Sequence, residues 1–210
     1  VGDKVVVYGG FDGRNTLDDL WVFNCTSGAW LKPRHGGLSP GPRHGHTCKL
    51  LEDGELLLFG GYQVDQGQLP QYKGDTRSLN LQTMTWQRLS PSGTCPEARF
   101  GHTTAIHGPQ MVVFGGYTGK PRKRVPTNPD PQDKTLDEDR ELAPEPGTIK
   151  HMYAFNIETV EWWQPVSEGE PPDRRYGHTM TYVGSGHYLI FAGWDGTRPL
   201  NSLLDMHIPE

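Results

Sequence analysis

The chain is poor in cysteine, in positive charge and in long apolar runs, and each shortage closes off a class of function. Its three cysteines, Cys25, Cys48 and Cys95, are odd in number and far apart, which suits neither a disulfide framework nor a zinc site built on CxxC pairs. A reducing compartment is therefore expected, the cytoplasm or with it the nucleus. Lys and Arg total 20 against 25 Asp and Glu, a net charge of −5. No surplus of positive charge exists to neutralise phosphates, so nucleic acid is not expected as a partner. No apolar run approaches the roughly 18 residues that would cross a bilayer as a helix, and no membrane insertion is expected. Phosphate-binding glycine signatures of the Gly-x-x-x-x-Gly-Lys or Gly-x-Gly-x-x-Gly kind are missing as well.

What the chain does have is 27 Gly and 18 Pro, with 6 Trp, 7 Phe and 8 Tyr. That mixture suits many short strands joined by tight turns, an all-β fold. One pattern recurs three times: Asn, Trp six residues on, Gly seven further, Pro three after that, then Arg-x-Gly-His. The copies run through Asn24, Trp30, Gly37, Pro40, Arg43 and His46; through Asn80, Trp86, Gly93, Pro96, Arg99 and His102; and through Asn156, Trp162, Gly169, Pro172, Arg175 and His178. An aromatic with a small-residue doublet follows each copy, as Phe59-Gly60-Gly61, Phe114-Gly115-Gly116 and Phe191-Ala192-Gly193, and Tyr8-Gly9-Gly10 is an earlier one. Self-similarity at this period is the signature of a repeat architecture.

Continuous apolar runs end at each doublet: Val5 to Tyr8, Leu56 to Phe59, Met111 to Phe114 and Tyr188 to Phe191. Such runs predict strands covered on both faces, as stacked sheets provide. From the doublet to the next Asn position the spacing is 14 residues in the first and last repeats, 19 in the second and 40 in the third. Insertions of 5 and 26 residues therefore fall in one equivalent loop, where a repeat fold tolerates them.

The glycine doublet after an apolar strand, the tryptophan and the Arg-x-Gly-His motif together resemble the Kelch repeat family. Its longer Gly-x-x-Pro-x-x-Arg-x-Gly-His form is similar to Kelch proteins of cell polarity and trafficking. The resemblance implies a β-propeller of four-stranded antiparallel blades, incomplete here, with about three and a half blades of about six. The implied limits are 1–36 for a partial first blade, 37–92, 93–168 with an insert at about 118–148, and 169–210 for a partial fourth. The remaining blades are expected outside residues 1–210 or on another chain.

Each blade's residues divide into framework and contact groups. Trp30, Trp86 and Trp162 are expected in the core, where each buries roughly 150 to 250 Å². Gly10, Gly61, Gly116 and Gly193 are expected to let the chain leave its strand, while Ala192 suggests that the first doublet position needs smallness more than positive φ. His46, His102 and His178 recur in every copy, which suits structural hydrogen bonding more than catalysis.

Arg43, Arg99 and Arg175 are expected to ring the channel mouth on the insert-bearing face. Converging guanidiniums there suit an acidic segment of a protein partner, and the resemblance implies the same use. The competing reading fixes each arginine on neighbouring carbonyls or carboxylates. His44, Phe100 and Tyr176 differ between copies and are candidates for specificity, with Tyr62, Tyr117 and Trp194 after the doublets. His44 and His46 share a strand face without a carboxylate or cysteine at ligand spacing, so no metal, no cofactor and no catalytic residue is expected. The expected function is a scaffold for a protein partner; the alternatives are a propeller enzyme with a metal or sugar site at the channel mouth, or a regulatory module for a catalytic domain elsewhere.

Overall fold

The computed structural model describes residues 2–118, 152–166 and 172–208. The charged insert expected at 118–148 lies outside these, save for Thr118. Every element among the described residues is a strand, and none of these residues forms a helix long and apolar enough to cross a membrane.

Four sheets follow one another along the chain. The first orders β1 (Lys4–Phe11), β2 (Thr16–Asn24) and β3 (Ala29–Leu31). The second runs β5 (Thr47–Leu50), β6 (Glu55–Gln63), β7 (Gln71–Asn80) and β8 (Thr85–Arg88), all antiparallel, with the two-residue β4 (Gly36–Gly37) parallel to β8 at its edge. The third repeats this plan with β10 (Thr103–His107), β11 (Gln110–Phe114), β12 (Met152–Asn156), β13 (Glu161–Trp163) and the edge strand β9 (Ser92–Gly93). The fourth holds β14 (Thr179–Gly184), β15 (His187–Phe191) and β16 (Leu203–His207). These are the blades of a β-propeller.

The apolar runs build the contacts between blades, because a strand sends alternate side chains to opposite faces. Leu56 and Leu58 of β6 pack with Tyr8, Leu20 and Trp86 against the first sheet, while Leu57 and Phe59 pack with Met111, Val113 and Trp162 against the third. One blade further on, Val112 and Phe114 pack with Tyr188 and Ile190 of the fourth sheet. The second and third runs are thus covered on both faces as expected. In the first run Val5 and Val7 are exposed, and in the last Phe191 is, because the described residues place a sheet on only one side of each.

Trp30 departs from expectation for the same reason. Trp86 and Trp162 are 1% exposed, whereas Trp30 is 57% exposed, its ring contacts among the described residues being with Phe23 and Trp21 of its own sheet. Each buried tryptophan fills the seam with the preceding blade, and none of the described residues forms such a seam over Trp30. Trp86→Ala should therefore cost about 3 to 5 kcal/mol of stability and Trp30→Ala about 0.5 kcal/mol. Urea unfolding of the two variants checks the contrast; equal losses would contradict this packing.

The recurring asparagine is a turn device. Asn24 Oδ1 accepts from the backbone N–H of Thr26 and Ser27, Asn80 Oδ1 from Gln82 and Thr83, and Asn156 Oδ1 from Glu158 and Thr159. Each closes the turn leading into the tryptophan strand.

Candidate functional site

The inner ends of the sheets are tied together by the Arg-x-Gly-His segments. Each guanidinium reaches the carbonyl of the first doublet residue in its own blade: Arg43 to Gly60 at 2.9 Å, Arg99 to Gly115 at 2.8 Å and Arg175 to Ala192 at 3.1 Å. The backbone carbonyl of the same arginine accepts from the second doublet residue of the preceding blade, from Gly10, Gly61 and Gly116 in turn. One residue type thus joins its own doublet through its side chain and its neighbour's through its backbone.

The arginines are 1 to 3% exposed. Arg43 also donates to both oxygens of Asp75 and to the Pro40 carbonyl, Arg99 donates to the Glu97 carbonyl and lies over the Tyr153 ring, and Arg175 donates to Ser202 and the Asp173 carbonyl. Asp75 is held down at about 2: its pairing with Arg43 and Arg77 overcomes the upward push of its own burial. The burial and framework bonds of the three guanidiniums match the reading that fixes each arginine on neighbouring carbonyls or carboxylates.

The doublet expectation changes too. All four first positions adopt positive φ, Ala192 included at 62° beside Gly60 at 69° and Gly115 at 68°. A Cβ at Gly9, Gly60 or Gly115 would come within 2.4 to 2.8 Å of the following blade's arginine carbonyl. Space and positive φ are both required where another blade follows, and Ala192 has no such carbonyl against it among the described residues.

His102 Nε2 lies 3.0 Å from the Thr47 hydroxyl of the preceding blade, and His178 Nε2 lies 2.7 Å from that of Thr103. Burial, and then the neighbouring arginines, push His46 and His178 down to about 4. His102 is pushed to about 3 for the same reasons. All three are neutral near pH 7. They hold blades together and are not placed to exchange protons with a ligand. Burial pushes the Cys48 thiol up to about 12, which leaves it a poor nucleophile, and no group of three or more potential metal ligands occurs among the described residues.

Above this framework lies an arc of aromatic rings. In each blade the variable residue of the motif pairs through its backbone with the aromatic after the doublet: His44 with Tyr62, Phe100 with Tyr117, Tyr176 with Trp194. Ring centroids then step across the blades, from His44 to Tyr62 at 5.3 Å, to Phe100 at 5.1 Å, to Tyr117 at 6.0 Å and to Tyr176 at 5.8 Å. Phe100 rests over Gly45 and Tyr176 over Gly101, so the motif's glycine makes room for the next blade's ring. The inner strands are laced below them, Gly101 N–H to Gly45 and Gly177 N–H to Gly101, each at 2.8 Å.

Two further rings join the arc in tilted contacts, Phe11 with His44 at 5.3 Å and Tyr72 with Tyr62 at 4.9 Å. Phe11 follows the first doublet, so the repeat phase alone could have found it. Tyr72 lies in β7, paired with Tyr62 as Thr16 pairs with Phe11 in the first blade, so the position is in phase and only the aromatic there is peculiar to the second blade. Trp194 is 39% exposed and, among the described residues, makes no ring contact with the others.

The KLHDC2/KLHL20/DRC7 Kelch-repeats domain model matches residues 1–128. The chain belongs to the Kelch-repeat family. Tip elongation aberrant protein 1 of Schizosaccharomyces pombe is 35% identical to this Kelch chain, over 98% of it and 16% of its own length. Human Kelch domain-containing protein 2 is 26% identical over 96% of the chain and 50% of its own length. The Rab9 effector protein with kelch motifs of Xenopus laevis is 25% identical, over 87% and 42% respectively. The Kelch chain spans half or less of the length of these curated relatives.

Proposed function

We propose that this Kelch propeller is a non-enzymatic scaffold that holds a protein partner on its aromatic arc. The observation that carries the reading is the arc itself. Its rings project from backbone pairs already hydrogen-bonded in both directions, so little entropy is lost in presenting them. Tyr and Trp dominate the energetics of protein contacts for that reason. Tyr117 and Phe11 are 38% and 46% exposed, which leaves aromatic area open to a partner. The relative described as a Rab9 effector with kelch motifs supports an interaction role, and a trafficking context in the cytoplasm is part of the proposal. Further blades on this chain's parent or on a partner would complete the ring.

A photoreactive phenylalanine analogue at position 117 identifies the partner by cross-linking. The affinity of that partner should fall at least about tenfold on Phe100→Ser or Tyr117→Ser, with the unfolding midpoint little changed for Tyr117→Ser and lowered for Phe100→Ser, which also loses its packing over Gly45. Unchanged affinity in both variants would reject the arc as the contact.

A further inference from the structure

We propose that Ser90 is a phosphorylation site, its phosphate held by the guanidiniums of Arg88 and Arg77 at the outer corner of the second blade. The first and second blades differ there by one unpaired charge. In the first blade Lys32, just past β3, pairs with Asp19 at 3.1 Å. Arg88 and Asp75 hold the same places one repeat on, but Asp75 is already engaged by Arg43 at 2.8 Å and by Arg77 at 2.6 Å. Arg88 is exposed, and among the described residues no partner pairs with it. β7 and β8 also set Arg77 and Arg88 directly opposite each other, where like charges repel. Three guanidiniums therefore share one carboxylate, and the corner lacks an anion.

Ser90 stands at that corner. The Leu89 N–H donates to the Thr76 carbonyl at 3.0 Å and carries the ladder one residue past β8. Asp75, Arg88 and Ser90 then line one open cavity of about 380 Å³, room enough for a phosphate. The corresponding residues are Arg34 in the first blade and Val166 in the third, so the hydroxyl occurs in the blade with the surplus guanidinium. Ser90 is exposed, outside any strand, and among the described residues its hydroxyl has no partner. Pro91 follows it and keeps its backbone extended, the form a kinase cleft receives. Ser39-Pro40 repeats the dipeptide without offering it: Ser39 Oγ lies 3.3 Å from the Tyr8 hydroxyl and accepts from the Gly41 N–H, and Pro40 is buried with its carbonyl on Arg43. In the transfer Ser90 Oγ bonds to the γ-phosphorus of ATP, the bond from that phosphorus to the ADP oxygen breaks, and the hydroxyl proton passes to the base of a proline-directed protein kinase. The product carries about −1.5 to −2 charges near pH 7, and the planar arginine fork matches phosphate oxygens in pairs.

The test incubates the full chain, and a free peptide running from Thr85 to Pro96, with ATP and purified proline-directed kinases, and locates phosphate by mass spectrometry. The chain should gain one phosphate, on Ser90 and not on Ser39, and Ser90→Ala should gain none. Phosphorus resonances of the phosphorylated chain should titrate at least about half a unit below the ordinary value near 6, and Arg88→Gln should restore the ordinary value. A peptide that none of the kinases accepts, a chain left unmodified by a kinase that modifies the peptide, or phosphate on other residues alone would overturn the proposal. A phosphate on Ser90 that titrates at the ordinary value would overturn its capture by Arg88. If millimolar inorganic phosphate moves the Arg88 side-chain resonance of Ser90→Ala as far as phosphorylation moves it in the native chain, the corner takes a free anion and the covalent site is overturned.

Discussion

Replacing Arg43 with alanine is expected to destabilise the propeller by about 3 to 5 kcal/mol, the cost of breaking a buried, multiply bonded charge. Its removal leaves the Gly60 and Pro40 carbonyls without their donor and takes one of two partners from Asp75. Arg77, at 2.6 Å, keeps the Asp75 carboxylate partly compensated, which sets the loss within that range and not above it. Arg43→Lys should recover little, because one ammonium cannot span a carboxylate and two carbonyls that the planar fork reaches together. Chemical unfolding of both variants measures this. An unshifted midpoint would mean that the guanidinium is not a structural tie.

Acid should unfold the chain steeply below about pH 6. His46, His102 and His178 are pushed down to about 4, 3 and 4 in the folded state, against an ordinary value of 6.5. As the pH falls below 6.5 the unfolded chain takes up protons that the folded chain refuses. Their stabilising contribution is therefore complete above that value and drains away toward pH 4. Each group contributes a slope of about 1.4 kcal/mol per pH unit, on the order of 4 kcal/mol for the three together. Over two units that rivals the whole stability of an ordinary domain. Asp75, held at about 2, adds a loss of the same sign only below about pH 4. Unfolding midpoints at pH 7.5, 6 and 5 should show the slope, and His102→Gln should flatten it by about a third. A midpoint constant across this range would contradict the neutral, buried state of the three rings.

The blade plan was legible because in-phase repetition does not depend on tertiary detail. The apolar runs before each doublet gave the central strands, and the Asn-to-Trp spacing gave the turn and outer strand. What sequence could not supply was which side of each blade another blade covers. Trp30 and Trp86 stand in identical local patterns, yet one is exposed and the other buried, since burial here is a property of the neighbouring sheet. Arg43 shows the same limit in reverse. A charged residue repeated near a channel mouth reads equally as ligand or as tie, and only the count of carbonyls around the guanidinium decides. The arc was half visible, since His44, Phe100, Tyr176, Tyr62 and Tyr117 share the repeat phase. Tyr72 holds the place before Asn80 that Thr16 holds before Asn24, and because the residue type changes from one blade to the next the phase alone does not mark it as a ring of the arc.

The most direct test places the two layers side by side: partner affinity and unfolding midpoint measured on Tyr117→Ser and on Arg43→Lys. A contact layer resting on a structural layer predicts lost affinity with an intact midpoint for Tyr117→Ser, and a lowered midpoint with near-normal affinity, measured well below that midpoint, for Arg43→Lys. The reverse pattern, an arginine variant that folds normally but no longer binds beside a tyrosine variant that binds fully, would contradict it.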